Sequence, residues 1–256
     1  MCFDRDSSPP YVPADLSPVA GGASAEMLEL TSDDGTRFSA ALTMATESRG
    51  AAVVVLPDVR GLYRFYVELT ERFAGAGHHA IAIDYFGRTA GPGERDEDFD
   101  AWPHLRETRP WLIQADAAAA MAALRERAGA DTPVVAVGFC YGGTMSLLAD
   151  TNAELGLDGV VGFYAGLDMS RFGLPSPIEE APKMRGPVLG LFGEADQGIP
   201  LEKVDELRGA LSGAGVENEI VTYPGAPHSF FDRKYEEYAQ ECEDAWRRVL
   251  GFLARD

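Results

Sequence analysis

The sequence predicts an α/β fold, with a mostly parallel central sheet and helices on both faces. Three observations predict it. From residue 52 onward, continuous apolar runs of strand length alternate with amphipathic helical patterns. That alternation is the mark of parallel strands buried on both faces. One run, Pro133-Val134-Val135-Ala136-Val137, leads through Gly138-Phe139-Cys140-Tyr141-Gly142-Gly143 into a helical pattern. Finally, 256 residues with 46% hydrophobic content suit one sizeable core.

Taken in order, residues 1–25 are rich in Pro, Ser, Gly and Asp and read as an extended surface segment. Residues 26–256 read as one catalytic domain. Met27–Leu30 and Arg37–Thr43 flank Asp33-Asp34-Gly35, a hairpin turn signal. Strands are predicted at 52–57, 79–84, 133–137, 158–164, 187–192 and 218–223. Helices are predicted near 65–76, 110–129, 142–151, 200–213 and 235–254. The alanine-rich stretch 117–128 reads as a packed helix, since alanine is the best helix former. Two longer loops, 87–108 and 165–186, follow strand ends on the side where ligands enter open α/β sheets. They read as pocket walls or as ordinary surface insertions.

The strand, Gly-x-Cys-x-Gly, helix pattern is the nucleophile elbow of α/β-hydrolases, with a thiol where serine usually stands. Glycines two positions either side of the nucleophile let strand and helix approach closely. The sulfur of Cys140 would then sit beside a helix N-terminus, which favours a thiolate and a developing oxyanion. The other reading is a buried, inert cysteine in a turn. An elbow nucleophile needs an acid and then a histidine later in the chain. Asp196 lies in a polar loop after the strand at 187–192, and His228 in a loop after the last strand. Glu194 and Asp168 are weaker substitutes for the acid. Of the four histidines, His78 and His79 fall at the opposite edge of the sheet, and His104 is the competitor to His228.

The chain resembles the dienelactone hydrolase family. The residues that carry the resemblance are Val53–Leu62, Asp84-Tyr85-Phe86-Gly87-Arg88, the Gly138–Gly143 elbow, Phe192-Gly193-Glu194-Ala195-Asp196 and His228-Ser229-Phe230-Phe231. The resemblance implies a Cys140-His228-Asp196 triad that opens lactones or esters through an acyl-enzyme. The family's best-known members place a glutamate where this chain has Asp58. Those members also bind a substrate carboxylate with two arginines. Arg88 matches the first; the second position holds Asp232, with Arg233 beside it. Asp58 is read either as tuning the resting thiol or as capping a turn. The backbone N–H groups of Val59 and Tyr141 are the expected oxyanion donors. Arg60, Arg88 and Phe230 are candidate substrate-binding or thiol-tuning residues. Tyr85, Phe86, Trp102 and Phe172 are further candidates for pocket lining.

A formal net charge of −19 argues against nucleic acid and anionic membrane as partners. Any anionic substrate would need local positive groups. Three cysteines, Cys2, Cys140 and Cys242, form no disulfide framework. No leader pattern opens the sequence and no run reaches membrane-spanning length, so a reducing cytoplasm is expected. No metal cluster or cofactor fingerprint is found. The expected partner is a small-molecule ester or lactone, and oligomeric state is not legible. The sequence therefore points to a cofactor-independent cysteine hydrolase. The alternatives are an esterase or thioesterase of different acyl specificity, a cysteine peptidase, or a redox-sensing or binding protein on the same fold.

Overall fold

Val53, Val54 and Val55 are all fully buried, so the strand they form is covered on both faces. The computed structural model describes residues 7–17, 24–93 and 95–255. Eight strands form one sheet: β1 (Glu26–Thr31), β2 (Arg37–Thr43), β3 (Ala52–Leu56), β4 (Ala80–Ile83), β5 (Val134–Phe139), β6 (Gly159–Phe163), β7 (Val188–Gly193) and β8 (Asn218–Tyr223). Their spatial order is β1-β2-β4-β3-β5-β6-β7-β8. The predicted hairpin β1–β2 is antiparallel, and β2 also runs antiparallel to β4. Every other pairing is parallel. Register places Val53 opposite Val135 and Val54 opposite Ala136. Hydrophobic burial of these runs is the main drive for the sheet.

Among the described residues the α-helices are α1 (Arg64–Gly75), α2 (Gly87–Ala90), α3 (Ala101–Leu105), α4 (Pro110–Ala128), α5 (Tyr141–Ala149), α6 (Pro177–Glu180), α7 (Leu201–Gly213) and α8 (Ala239–Leu253). In α1 the buried residues Phe65, Leu69 and Phe73 recur every fourth position, which gives one apolar face. Proline at the start of α4 suits a position whose N–H has no partner within the helix. The last helix begins at Ala239 and not near 235. Residues before it form consecutive turns that carry Phe230, Phe231 and Asp232 into the interior. The N-terminal segment also differs from expectation. Within 7–17, Ser7, Pro9 and Pro10 are buried against the domain and do not lie on its surface; residues 1–6 and 18–23 fall outside the described residues.

Strand β3 lies between β4 and β5, and its chain leads to α1, while β4 and β5 lead to α4 and α5, which pack on each other. Such a switch point opens a crevice beyond the strand ends. The loops after β3, β5, β7 and β8 carry Asp58 to Arg60, Cys140, Asp196 and His228.

Candidate active site

Cys140 stands alone between β5 and α5, with φ 53° and ψ −112°. A non-glycine residue rarely adopts this backbone, which costs of order 1–3 kcal/mol and needs a surrounding structure that enforces it. The flanking glycines supply that enforcement. A Cβ on Gly138 would sit 2.0 Å from the Gly142 carbonyl oxygen, and one on Gly142 would sit 2.1 Å from the Leu56 and Pro57 oxygens. The helix start therefore packs directly on the end of β3 and the loop holding Val59. The Cys140 N–H donates to the Phe163 carbonyl at 3.0 Å. The thiol is half-buried.

Asp196 and His228 are brought together by another close approach. A Cβ on Gly193 would meet the Ala226 oxygen at 2.2 Å, so the loop after β7 lies against the loop after β8. The His228 Nδ1–H donates to Asp196 Oδ2 at 2.6 Å. The other Asp196 oxygen accepts from the Gly198 N–H at 2.8 Å. His228 Nε2 is buried and makes no hydrogen bond. Nδ1 is held, so Nε2 is the nitrogen available to exchange a proton. Glu194 and Asp168 are exposed, and Asp168 accepts from Ser170. His104 meets Thr89 and stacks on Phe99, and His78 reaches the Ala51 carbonyl. Of the four histidines, His228 is the one paired with a carboxylate among the described residues.

Tyr164 packs beside the histidine. Its ring packs on His228 at 4.9 Å. Its phenol is pushed well above the usual range, by burial first and then by negative charge at Asp232, Asp58 and Cys140. It also carries a positive φ of 36°.

Asp58 and Arg60 form a buried network with Asp232. Arg60 Nε donates to both Asp58 oxygens at 3.0 and 3.1 Å, and Nη2 donates to Oδ2 at 2.8 Å. The Arg60 backbone N–H also donates to Asp58 Oδ1, at 2.9 Å. Arg60 Nη2 further pairs with Asp232. Burial opposes the Arg60 charge, and Asp58, Tyr66 and Asp232 more than offset it. Burial raises the Asp232 carboxyl to about 6, against the opposing pull of Arg60. Two buried tyrosines pin the same loop. The Asp58 N–H donates to the Tyr66 hydroxyl at 3.0 Å, and the Tyr85 hydroxyl donates to the Pro57 carbonyl at 3.1 Å and to the Asp58 carbonyl. Tyr66 and Tyr164, and the pairing of Asp232 with Arg60, escape a sequence reading. Their partners are distant in the chain, and no local pattern marks them.

The structure places other candidates differently from expectation. Arg88 donates to Asp116 at 2.8 Å, to Thr36 Oγ1 at 2.6 Å, to the Leu112 carbonyl at 3.3 Å and to Asp34. It joins the hairpin to α4. Phe230 is fully buried against Tyr164 and Tyr223, so it packs the core and offers no substrate surface. Phe86 is likewise core, whereas Trp102 is exposed. Phe172 does line a cavity of about 310 Å³, with Leu105, Arg106, Thr108, Arg109 and Leu174. Its walls come from the two long loops. Thr108 Oγ1 lies 2.5 Å from the Tyr141 hydroxyl, which connects this cavity to the elbow. Arg233 is half-buried beside Asp232.

The family model of dienelactone hydrolases matches residues 38–256. This chain belongs to the dienelactone hydrolase family. A Salmonella typhimurium protein assigned by inference as a carboxymethylenebutenolidase is 30% identical over 257 residues, covering 96% of this chain and 93% of its own. A similarly assigned Escherichia coli K12 protein is 31% identical over 210 residues, covering 78% and 75%. The crystal structure of a Klebsiella pneumoniae protein assigned by inference as a dienelactone hydrolase superposes with a TM-score of 0.76 at 26% identity, covering 90% of this chain and all of that one. The fold is the α/β-hydrolase fold, and the chain is a dienelactone hydrolase-like hydrolase of ester bonds. Among the described residues, no helix is long and apolar enough to cross a membrane.

Proposed function

We propose that this dienelactone hydrolase relative opens lactones or carboxylic esters through an acyl-enzyme on Cys140. The observation that supports this best is the Asp196–His228 pair, with Nε2 left buried and unbonded, in a chain whose elbow holds a cysteine at positive φ. His228 Nε2 takes the thiol proton while Asp196 holds the tautomer and stabilises the imidazolium. The sulfur attacks the acyl carbon, and its carbonyl electrons move onto oxygen. The Val59 and Tyr141 N–H groups receive that oxyanion. Collapse breaks the acyl C–O bond, and His228 returns the proton to the leaving alkoxide. In a lactone this alkoxide stays tethered to the acyl group. Water then attacks the thioester with His228 as base, and the released thiolate regains the proton.

The cavity between the two long loops is the natural place for the rest of the substrate. Arg88 is engaged elsewhere, so a substrate anion would meet Arg109 and Arg106 in the cavity wall. Arg109 donates only to the backbone carbonyls of Arg106 and Thr108, and no carboxylate pairs with either guanidinium among the described residues. A working thiol fits a reducing cytoplasm. The test is a panel of chromogenic esters and lactones with wild-type, Cys140→Ala and His228→Ala proteins. Hydrolysis should be lost in both variants, and an acyl adduct on the Cys140 peptide should appear by mass spectrometry. Wild-type turnover by Cys140→Ala would sink the proposal.

A further inference from the structure

The described part of the N-terminal segment, 7–17, lies outside the family match at 38–256, yet it reaches the site. It crosses α1 and α8 as a strap. The Trp246 indole donates to the Pro10 carbonyl at 3.2 Å, Arg72 sits over the Tyr11 ring at 4.3 Å, and Arg247 pairs with Asp15 at 2.8 Å. Pro9 and Pro10 are buried, and consecutive prolines hold an extended backbone at low entropic cost. At the inner end, Ser7 is only 7% exposed. Its hydroxyl accepts from Arg60 Nη1 at 3.0 Å, and its polarity favours the charged form of Asp232 against burial.

Arg60 is the bridge between two loops that matter for the proposed chemistry. It follows Val59 directly, and its partner Asp232 lies just beyond His228 in the chain. Its guanidinium gives Nε and Nη2 to carboxylates and Nη1 to Ser7. We propose that the strap is a working part of the active site, and that Ser7 is a positioning residue. It completes the Asp58–Arg60–Asp232 clamp, which keeps the oxyanion loop and the histidine loop in register. This rests on the hydrolase reading above for its catalytic meaning, while the clamp itself is a structural statement. A hydrogen bond to a buried charged group is among the stronger ones, so losing it loosens the hold on the guanidinium.

The experiment compares wild type, Ser7→Ala and Ser7→Thr by amide hydrogen exchange and by ester kinetics, with Cys140→Ala as the hydrolysis control. Ser7→Ala should speed exchange in 58–61 and in 229–232 together, on the order of tenfold, through easier local opening. It should lower kcat more than it changes KM. Ser7→Thr keeps the hydroxyl and should restore both. Protection unchanged in either loop, or faster exchange confined to the strap, would overturn the proposal. So would failure of threonine to rescue. Hydrolysis persisting in Cys140→Ala would instead remove the catalytic reading and leave the exchange result standing.

Discussion

At Cys140 the backbone is held in a rare conformation by the glycines around it, and the half-buried side chain packs at the edge of the core. Cys140→Ser should fold normally and turn over esters far more slowly. A serine hydroxyl needs a stronger base than a thiol does. Equal rates on chromogenic esters would mark an ordinary serine-type site. Asp58 and Asp232 place two carboxylates on one arginine, an excess of negative charge that disfavours a nearby thiolate. Asp58→Asn should therefore speed alkylation of the Cys140 peptide near pH 7, read by mass spectrometry. An unchanged rate would make Asp58 structural.

Between elements, glycine contacts and arginine anchors set the geometry. Gly193 lets the end of β7 lie on the loop that carries His228. Gly193→Ala should destabilise by about 1–3 kcal/mol through overpacking and should cut activity by prising Asp196 from His228. A normal melting temperature with full activity would contradict this. Arg88 ties the β1–β2 hairpin to α4 through Asp116, whose side chain is 1% exposed. Burial lifts that carboxyl to about 6 despite Arg88. Arg88→Ala should thus cost about 3 kcal/mol by leaving a buried acid without its partner. It should affect carboxylated and neutral esters alike. Arg109→Gln should weaken carboxylated esters preferentially, by a bidentate contact's worth. A matched substrate pair measured with both variants decides whether the anion meets Arg88 or Arg109.

For the whole molecule, charge burial makes stability depend on pH. Asp232 and Asp116 have folded values near 6, raised from 3.8 by burial. The folded state therefore binds more protons than the unfolded state between about pH 4 and pH 6. Stability from these two groups is fullest below that window and falls as pH rises through it. Burial of His78 and His79 lowers their values, which works the other way as pH falls through 6.5. The net curve mixes both, so the clean test is a variant. Asp232→Asn should flatten the slope of unfolding free energy from pH 4 to pH 6 by up to about 3 kcal/mol. A slope identical to wild type would mean that Asp232 titrates normally.

The sequence by itself determined the sheet, the strand–turn–helix around Cys140 and the chain order of Cys140, Asp196 and His228. Those features are local: apolar runs, glycines at fixed offsets, and a polar loop after each strand. Strand and helix ends came within a few residues because burial patterns mark them. The exceptions were the start of α8, where Phe230, Phe231 and Asp232 are buried by turns that leave no periodic signal, and the short helices α2, α3 and α6, which lie in segments read as loops. Only the tertiary structure decided the partners of the charged groups. Arg60 finds Asp232 across 172 positions, and Arg88 finds Asp34 across 54. It also turned Ser7 and the prolines behind it from a surface tail into a buried strap. Long-range pairing depends on which loops the folded sheet places side by side, and a single chain read in order holds no local trace of that.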